Sequence, residues 1–287
     1  HYNADVTNYS ILEGIFKKHK NRINFILHAA AQPSHDWAYK DVMKDFSINS
    51  LGTLNMLELT KKYSPDSVFI YTSTNKVYGD HPNSIKFIEN RTRWTPKDNK
   101  KYLHGIDETM SIDNCKHSLF GVSKVYGDLL VQEYNKNFFL KTACFRAGCI
   151  TGPNHSGAKL HGFLSYLVKT CVQNKKYQLI GYKGKQVRDN IHSADLAEAF
   201  WSFYKKPVNN AVFNLGGGNY SNCSVLEAIN YVEKKRNIKV QKTFLKKPRS
   251  GDHQWYISDI RKFKSFYPDF KIKYGNEEIL DEIIDLY

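Results

Sequence analysis

The stretch SVFIYTSTNKVYG (residues 67–79) decides the fold, because an apolar run within it stops abruptly at hydroxyl and amide side chains. Its first part, SVFIYTST (67–74), is rich in aromatic and β-branched residues and predicts a buried strand. Before it, apolar residues recur at helical spacing through DFSINSLGTLNMLELTKKY (45–63), and NFILHA (24–29) predicts another buried strand. The order strand, helix, strand is typical of a parallel sheet.

The chain beyond residue 79 continues this alternation. A polar stretch (79–116) is predicted as loop, whereas SLFGVSKVYGDLLVQEYNKNF (118–138) predicts a helix and TACFRAG (142–148) a third strand. Later segments comprise a helix at 162–172, a strand, glycine loop and helix within 176–206, a strand at 212–218 and a helix at 221–237. The alternation predicts an α/β fold with a doubly wound parallel sheet.

Three stretches fall where the predicted strands end: HAAAQ (28–32), TSTNKVYG (72–79) and RAGCITGPNHSG (146–157). Small and hydroxyl residues at these ends let a flat ligand approach the backbone. Ligands of doubly wound sheets bind at the carboxyl ends of the strands. Ordinary turn chemistry explains one such stretch, but three of them favour a binding site.

Composition excludes several classes of protein. The formal net charge is +14, but the basic clusters are spread along the 287 residues, which disfavours nucleic acid and suits a small anionic substrate. The 5 cysteines are scattered and odd in number, which predicts a reducing, cytoplasmic location and no metal site. No apolar run approaches about 18 residues, so no membrane span is predicted. Because the chain starts at His1, we expect it to begin partway into a longer protein.

The segment HSLFGVSK (117–124) contains two candidate site residues at helical spacing. Phe120 and Lys124 are four residues apart, so a helix places them on one face. Together with HAAAQP, TSTNKVYG, FRAGCITGP, GKQVRDNIHSADL and NLGGG, this segment resembles the extended short-chain dehydrogenase/reductase family of nucleotide-sugar epimerases and dehydratases. Within that family, the motifs are most similar to members that epimerise C2 of a CDP-hexose.

The resemblance implies an NAD-dependent isomerase that oxidises a sugar carbon and then returns the hydride. It implies an N-terminally truncated, Rossmann-type dinucleotide-binding domain (1–150 and 187–215) and a smaller C-terminal α/β substrate domain (151–186 and 216–287), because the family's opening glycine-rich turn is missing. The implied NAD contacts are Asp5, Ala29, Ala30, Ala31, Asn49, Thr72 and Lys124. A homo-oligomer is also implied.

The family has a tyrosine as general base where this chain has Phe120, and a phenyl ring cannot take a proton. The resemblance implies that Thr74 binds the reacting hydroxyl and that Lys124 binds the nicotinamide ribose. His117, predicted one helical turn before Phe120, and Cys149 are candidates to replace the base. Asn75 and Lys76 stand where the family's dehydratases have an acidic pair, which argues against dehydration.

Arg188 and Arg249 match family arginines that bind the substrate diphosphate, and two guanidinium groups suit such bonding. The predicted sugar contacts are Asn75, Asn154 and His161. A nucleotide-diphosphate sugar, with CDP as its nucleotide, is therefore the predicted partner. Two alternatives remain open: another epimerase or reductase of the same family, and a non-catalytic protein that binds NAD or a nucleotide sugar.

Overall fold

The structure is a computed structural model that describes residues 1–155, 157 and 162–287. The helices are α1 (Tyr9–His19), α2 (His35–Lys40), α3 (Val42–Phe46), α4 (Gly52–Tyr63), α5 (Leu119–Phe138), α6 (Phe163–Val172), α7 (Ser193–Lys205), α8 (Val225–Arg236), α9 (Arg261–Phe266) and α10 (Asn276–Ile284). The strands are β1 (Phe25–His28), β2 (Val68–Thr74), β3 (Phe87–Glu89), β4 (Trp94–Pro96), β5 (Lys141–Ala147), β6 (Cys149–Thr151), β7 (Tyr177–Ile180), β8 (Val187–His192), β9 (Ala211–Leu215), β10 (Asn222–Ser224), β11 (Lys242–Leu245) and β12 (Trp255–Tyr256). Among the described helices, none has both the length and the apolar character needed to cross a membrane.

The main sheet has the strand order β1-β2-β5-β9. Strands β1 and β2 run parallel, with Phe25 opposite Val68 and His28 opposite Tyr71. At least one helix lies in the chain between each pair of neighbouring strands, as parallel pairing requires. The predicted alternation and the α/β fold class are therefore confirmed.

Helices cover both faces of this sheet. In β5, Cys144 joins a core cluster with side chains of α1, α4 and α5. The next residue, Phe145, points to the opposite face, because side chains alternate along a strand. There its ring centroid lies 5.0 Å from Phe200 and 6.2 Å from Phe203, both on α7. The sheet is thus doubly wound, as predicted.

The chain divides into two compact units. The first comprises His1–Val77, His117–Arg146 and Phe200–Phe213, and the second comprises Tyr78–Lys116, Ala147–Ala199 and Asn214–Tyr287. These bounds differ from the predicted ones, since 78–116 and 187–199 group with the second unit. Which unit binds the dinucleotide and which the sugar stays a prediction.

The second unit is organised around β8. This strand pairs antiparallel with β10 and parallel with β6 and β12, and β7 pairs parallel with β11. Helices α6, α8 and α10 supply much of a separate hydrophobic cluster that includes Leu167, Ile229 and Ile283. The unit therefore has a core of its own.

Three local predictions were wrong. Strand β8 was missed within the predicted strand, glycine loop and helix of 176–206, because its buried polar residues hide the apolar pattern. Helix α8 begins at Val225 and not at residue 221, because Ser224 and Glu227 form a capping box while 222–224 pair with β8. The predicted loop 79–116 contains the short antiparallel pair β3 and β4.

Candidate active site

Helix α5 lies very close to β2 in the first unit. A Cβ atom on Gly127 would lie 2.5 Å from the Tyr71 hydroxyl oxygen, so a glycine is needed there. This approach places Lys124 Nζ 2.8 Å from the Thr72 carbonyl oxygen, to which it donates, and 4.0 Å from the centroid of the Tyr71 ring. The predicted lysine therefore lies at the carboxyl end of β2, where doubly wound sheets bind their ligands.

Lys124 is a buried amine. Burial lowers its pKa to about 7, and the charge of Asp128 opposes this shift. Its bonded acceptor in the structure is a neutral carbonyl, which a neutral amine also satisfies. Near neutral pH the side chain therefore titrates between a free amine and an ammonium.

Asp128, one turn after Lys124, forms a buried ion pair with Arg146 near the end of β5. Arg146 donates from Nε to Oδ2 at 3.1 Å and from Nη2 to Oδ1 at 2.8 Å. The Ser73 hydroxyl donates to the same carboxylate. The pair is almost fully buried, with side chains 6% and 1% exposed. It ties α5 to both β2 and β5 directly beside Lys124.

The loop after β1 is fixed by Asn49. Its Oδ1 accepts from the Gln32 backbone N–H at 2.8 Å, and its Nδ2 donates to the Gln32 carbonyl at 3.1 Å. The same amide also donates to Asp45 and Ser123. Because the amide of Asn49 is engaged with the protein, its predicted contact with NAD would require these bonds to rearrange. The geometry shows Asn49 as a residue that positions the loop.

The carboxyl ends of β1 and β2 are joined by Thr72, whose hydroxyl donates to the His28 carbonyl at 3.1 Å. The His28 imidazole is buried, which lowers its pKa to about 3, and Lys124 adds to the shift. It is therefore neutral at physiological pH. Ala29 and Ala30 follow on the surface, so this edge carries only methyl side chains there.

Phe120 lies buried on the first turn of α5, and its closest described ring neighbour is His35. The two ring centroids are 4.9 Å apart in an edge-to-face arrangement. His35 Nδ1 lies 2.8 Å from the Ser118 hydroxyl oxygen, which also caps α5 by accepting from the Gly121 N–H at 3.0 Å. No motif or spacing in the sequence pointed to His35.

The other predicted catalytic residues of the first unit are nearby. Thr74 ends β2, and its hydroxyl oxygen accepts from the Lys76 N–H at 3.3 Å; Asn75 follows, buried. His117 was predicted to lie on the same helical face as Phe120. This prediction was wrong, because Ser118 caps a helix that begins at Leu119 and His117 lies outside it. A Cβ atom on Gly121 would lie 3.1 Å from the Lys76 carbonyl oxygen, so the end of β2 packs against the start of α5.

In the second unit, Arg188 is a buried residue of β8. Its Nη2 donates to the carboxylate of Asp252 and its Nη1 to the Val187 carbonyl at 2.7 Å. The Asp252 backbone is held in turn, because Asn83 donates to its carbonyl at 2.9 Å. Arg249 lies exposed three residues before Asp252. Arg188 therefore contacts, through Asp252, the segment that carries Arg249, and no motif in the sequence pointed to Asp252.

The remaining predicted residues are placed as follows. Cys149 begins β6 opposite Asn190 of β8, and Asn154 is exposed. Asp5 is exposed in a turn where its carboxylate accepts from the Thr7 N–H and hydroxyl, both at 2.8 Å, which lowers its pKa. His161 lies outside the described residues. Within the described part of the chain, no three His, Cys, Asp or Glu side chains are grouped as metal ligands would be.

Residues 1–216 match the model of the NAD dependent epimerase/dehydratase family. The chain belongs to this family. The resemblance found in the motifs is therefore confirmed, and NAD, the predicted cofactor, is the cofactor of the family.

Two relatives and one solved structure show how similar the chain is to other proteins. It is 29% identical over 300 residues to CDP-paratose 2-epimerase of Salmonella typhi, covering 98% of this chain and 86% of that protein. It is 25% identical to a putative UDP-glucose 4-epimerase of Methanocaldococcus jannaschii, covering 97% and 82%. The crystal structure of UDP-glucose 4-epimerase with UDP-glucose from Thermotoga maritima superposes with a TM-score of 0.80 at 22% identity, covering 99% and 83%. At 22% identity, the superposition with the Thermotoga maritima structure shows that the two chains share a fold.

The carboxyl edge of β1 and β2 fits a dinucleotide. Ala29 and Ala30 add no bulk beyond a methyl group. Lys124 Nζ has donors beyond the one it gives to Thr72, so it can bind hydroxyl groups of a ribose. Together these residues could hold the nicotinamide half of NAD.

Proposed function

We propose that this protein is an NAD-dependent epimerase that inverts C2 of a CDP-hexose by transient oxidation and hydride return. The observation that carries the proposal is the buried Lys124 at the carboxyl end of β2, one helical turn from Phe120. The similarity to CDP-paratose 2-epimerase along 98% of the chain supports the C2 position and the CDP nucleotide. Asn75 and Lys76 add chemical support, since neither is an acidic residue that could drive dehydration.

NAD, whose nicotinamide half would be held by Lys124 beside Ala29 and Ala30, would supply the acceptor and the donor of the hydride. The chain's own residues hold and orient the reactants. Lys124 donates to the ribose, Thr74 donates to the reacting hydroxyl, and the Asp128–Arg146 pair keeps α5 at the distance from β2 that this requires. Whether these roles hold, and whether the protein is a cytoplasmic homo-oligomer, stay predictions.

The diphosphate would bind at Arg188. In the structure its guanidinium is paired with Asp252, and a diphosphate offers the same kind of anionic oxygens with more charge. Arg249, three residues from Asp252, would approach the substrate on the same segment. We infer that binding exchanges the contact with Asp252 for contacts with the diphosphate.

The direct test is turnover. The full-length protein is incubated with NAD and CDP-paratose, or with UDP- and dTDP-hexoses, while proton NMR follows the configuration at C2. Inversion of the CDP sugar alone supports the proposal. Inversion only of another nucleotide sugar would support a different epimerase of this family.

Phe120→Tyr should leave turnover within about threefold of the parent if another group already acts as base, and should raise it about 10²-fold or more if the base is missing. The measurement is the initial rate of C2 inversion at saturating sugar. Phe138→Tyr, at the exposed end of the same helix, is the matched control. Loss of activity in Phe120→Tyr would show that a hydroxyl is not tolerated there and contradict both expectations.

Arg188→Ala should weaken binding of the CDP sugar by about 1.5–3 kcal/mol, because a charge-assisted bond to the diphosphate is lost. Calorimetric titration measures the affinity. Arg236→Ala, at the exposed end of α8 in the same unit, should change it very little. An unchanged affinity in Arg188→Ala would remove Arg188 from the site.

One observation favours a second function. Phe120 is buried where the family has its base, and a phenyl ring cannot take a proton. A protein that binds NAD and a CDP sugar without turnover would explain this residue. If NMR shows no inversion of any nucleotide sugar and calorimetry shows tight binding, the protein is a non-catalytic binding protein.

A further inference from the structure

We propose that His35 is the general base of this protein and replaces the tyrosine that is absent at position 120. The inference rests on the proposed function, because it needs a sugar hydroxyl to deprotonate. The position of His35, its tautomer and the proton balance support this role.

The first step is position. His35 is the first residue of α2, directly after its cap Ser34, and its ring stands edge-to-face with Phe120, at 4.9 Å between the ring centroids. The side chain is half-buried, so solvent or a ligand reaches part of it. The imidazole therefore places a nitrogen base in contact with the ring that stands where the tyrosine is absent.

The second step is the tautomer. The Ser118 hydroxyl oxygen has two lone pairs, and the Gly121 N–H uses one of them at 3.0 Å. The other can accept from His35 Nδ1–H at 2.8 Å. In that arrangement the neutral imidazole carries its proton on Nδ1 and its lone pair on Nε2, the form that a base requires. Ser118 is thus a positioning residue for His35 as well as the cap of α5.

The third step is the proton balance. The O–H bond of the sugar breaks, its electron pair stays on oxygen to form the carbonyl, and the proton bonds to Nε2. The sugar carbon is oxidised as its hydride passes to NAD, the oxidant of the proposed function. The resulting imidazolium strengthens the Nδ1–H bond to Ser118, because hydrogen bonds from charged donors are stronger. Return of the hydride to the opposite face of the carbon, and of the proton to oxygen, restores NAD and the neutral imidazole, so nothing is consumed.

The test compares variants of the full-length protein. His35→Asn keeps an amide donor for Ser118 but cannot take a proton, and it should lower the rate of C2 inversion at least about 100-fold with unchanged affinity for CDP-paratose. Phe120→Tyr in the His35→Asn background should restore most of that rate, since a phenol then supplies the base. His104→Asn, an exposed histidine of the other unit, is the control. In the protein without ligands, ¹⁵N NMR should show His35 protonated on Nδ1.

The following outcomes would overturn the role of His35 as the base. A rate in His35→Asn equal to that of the parent, or a large loss in His117→Asn instead, overturns the inference while leaving the proposed function intact. Failure of Phe120→Tyr to rescue His35→Asn, or a proton on Nε2 and not on Nδ1, also overturns it. A parent protein that inverts no sugar overturns the proposed function and this inference together.

Discussion

The free energy of unfolding should rise by up to about 5 kcal/mol between pH 7 and pH 10.5 because of Lys124 alone, and Lys124→Met should remove this rise. Burial lowers the pKa of Lys124 from 10.5 to about 7 in the folded protein, while the unfolded chain keeps the ordinary value. Between these two values the unfolded state binds more protons. Stability contributed by this group is therefore complete above pH 10.5 and is lost as the pH falls to 7.

The measurement is urea unfolding of the parent and Lys124→Met at several pH values from 7 to 10. Other groups titrate in both proteins, so the difference between the two slopes isolates Lys124. Lys136→Met, at an exposed lysine of the same helix, should retain the slope of the parent. Parallel slopes for the parent and Lys124→Met would mean that the buried amine stays charged when the protein folds.

The stability that the protein loses at pH 7 by burying Lys124 can be explained by the function of this residue. In the family, the charge of the lysine lowers the pKa of the tyrosine, and with Phe120 in place that task does not exist. What remains is the donation to Thr72 and the proposed donation to a ribose, both of which a neutral amine can perform. Lys124→Met should therefore be more stable than the parent at pH 7 and bind NAD more weakly. Gain of stability with loss of function is the usual sign of a functional residue.

The sequence predicted the main sheet well because its signal is local. β2 and α5 are apolar patterns within single segments, so period and composition suffice to find them. The role of Lys124 was implied by the family resemblance, and the structure places its amine at the carboxyl end of β2. For these elements, the chain's local preferences and its tertiary contacts agree.

The residues that were missed depend on contacts between distant segments. His35 reaches Ser118 across 83 positions and Arg188 reaches Asp252 across 64. No period or motif in one segment encodes such a pair. β8 was missed for a related reason: its polar side chains are buried because partners elsewhere satisfy them, including the Ser258 N–H, which donates to Asp189 at 2.9 Å. His117 was wrongly predicted to lie in the helix, because Ser118 is the cap of α5 and His117 precedes it. A shift of one or two residues in the start of a helix decides whether a side chain belongs to its face.

Asp128→Ala should lower the free energy of unfolding by about 3–5 kcal/mol, because it leaves the guanidinium of Arg146 buried without its counter-charge. The Ser73 hydroxyl loses its acceptor at the same time. Glu133→Ala is the matched control on the same helix, since that carboxylate pairs with Lys136 in solvent and should cost less than about 1 kcal/mol. Urea unfolding at pH 7 measures both.

A double variant separates the charge from the packing. Asp128→Leu with Arg146→Met removes both charges and keeps apolar volume, so it should recover most of the stability that Asp128→Ala loses. If the double variant is as unstable as Asp128→Ala, the loss comes from packing and hydrogen bonds at Ser73 and not from an unpaired charge. Recovery of stability without recovery of turnover would show that the ion pair serves to hold α5 against β2 at the distance that Lys124 needs. The structure favours this result, because Asp128 lies one helical turn from Lys124 and bonds to the residue that follows Thr72.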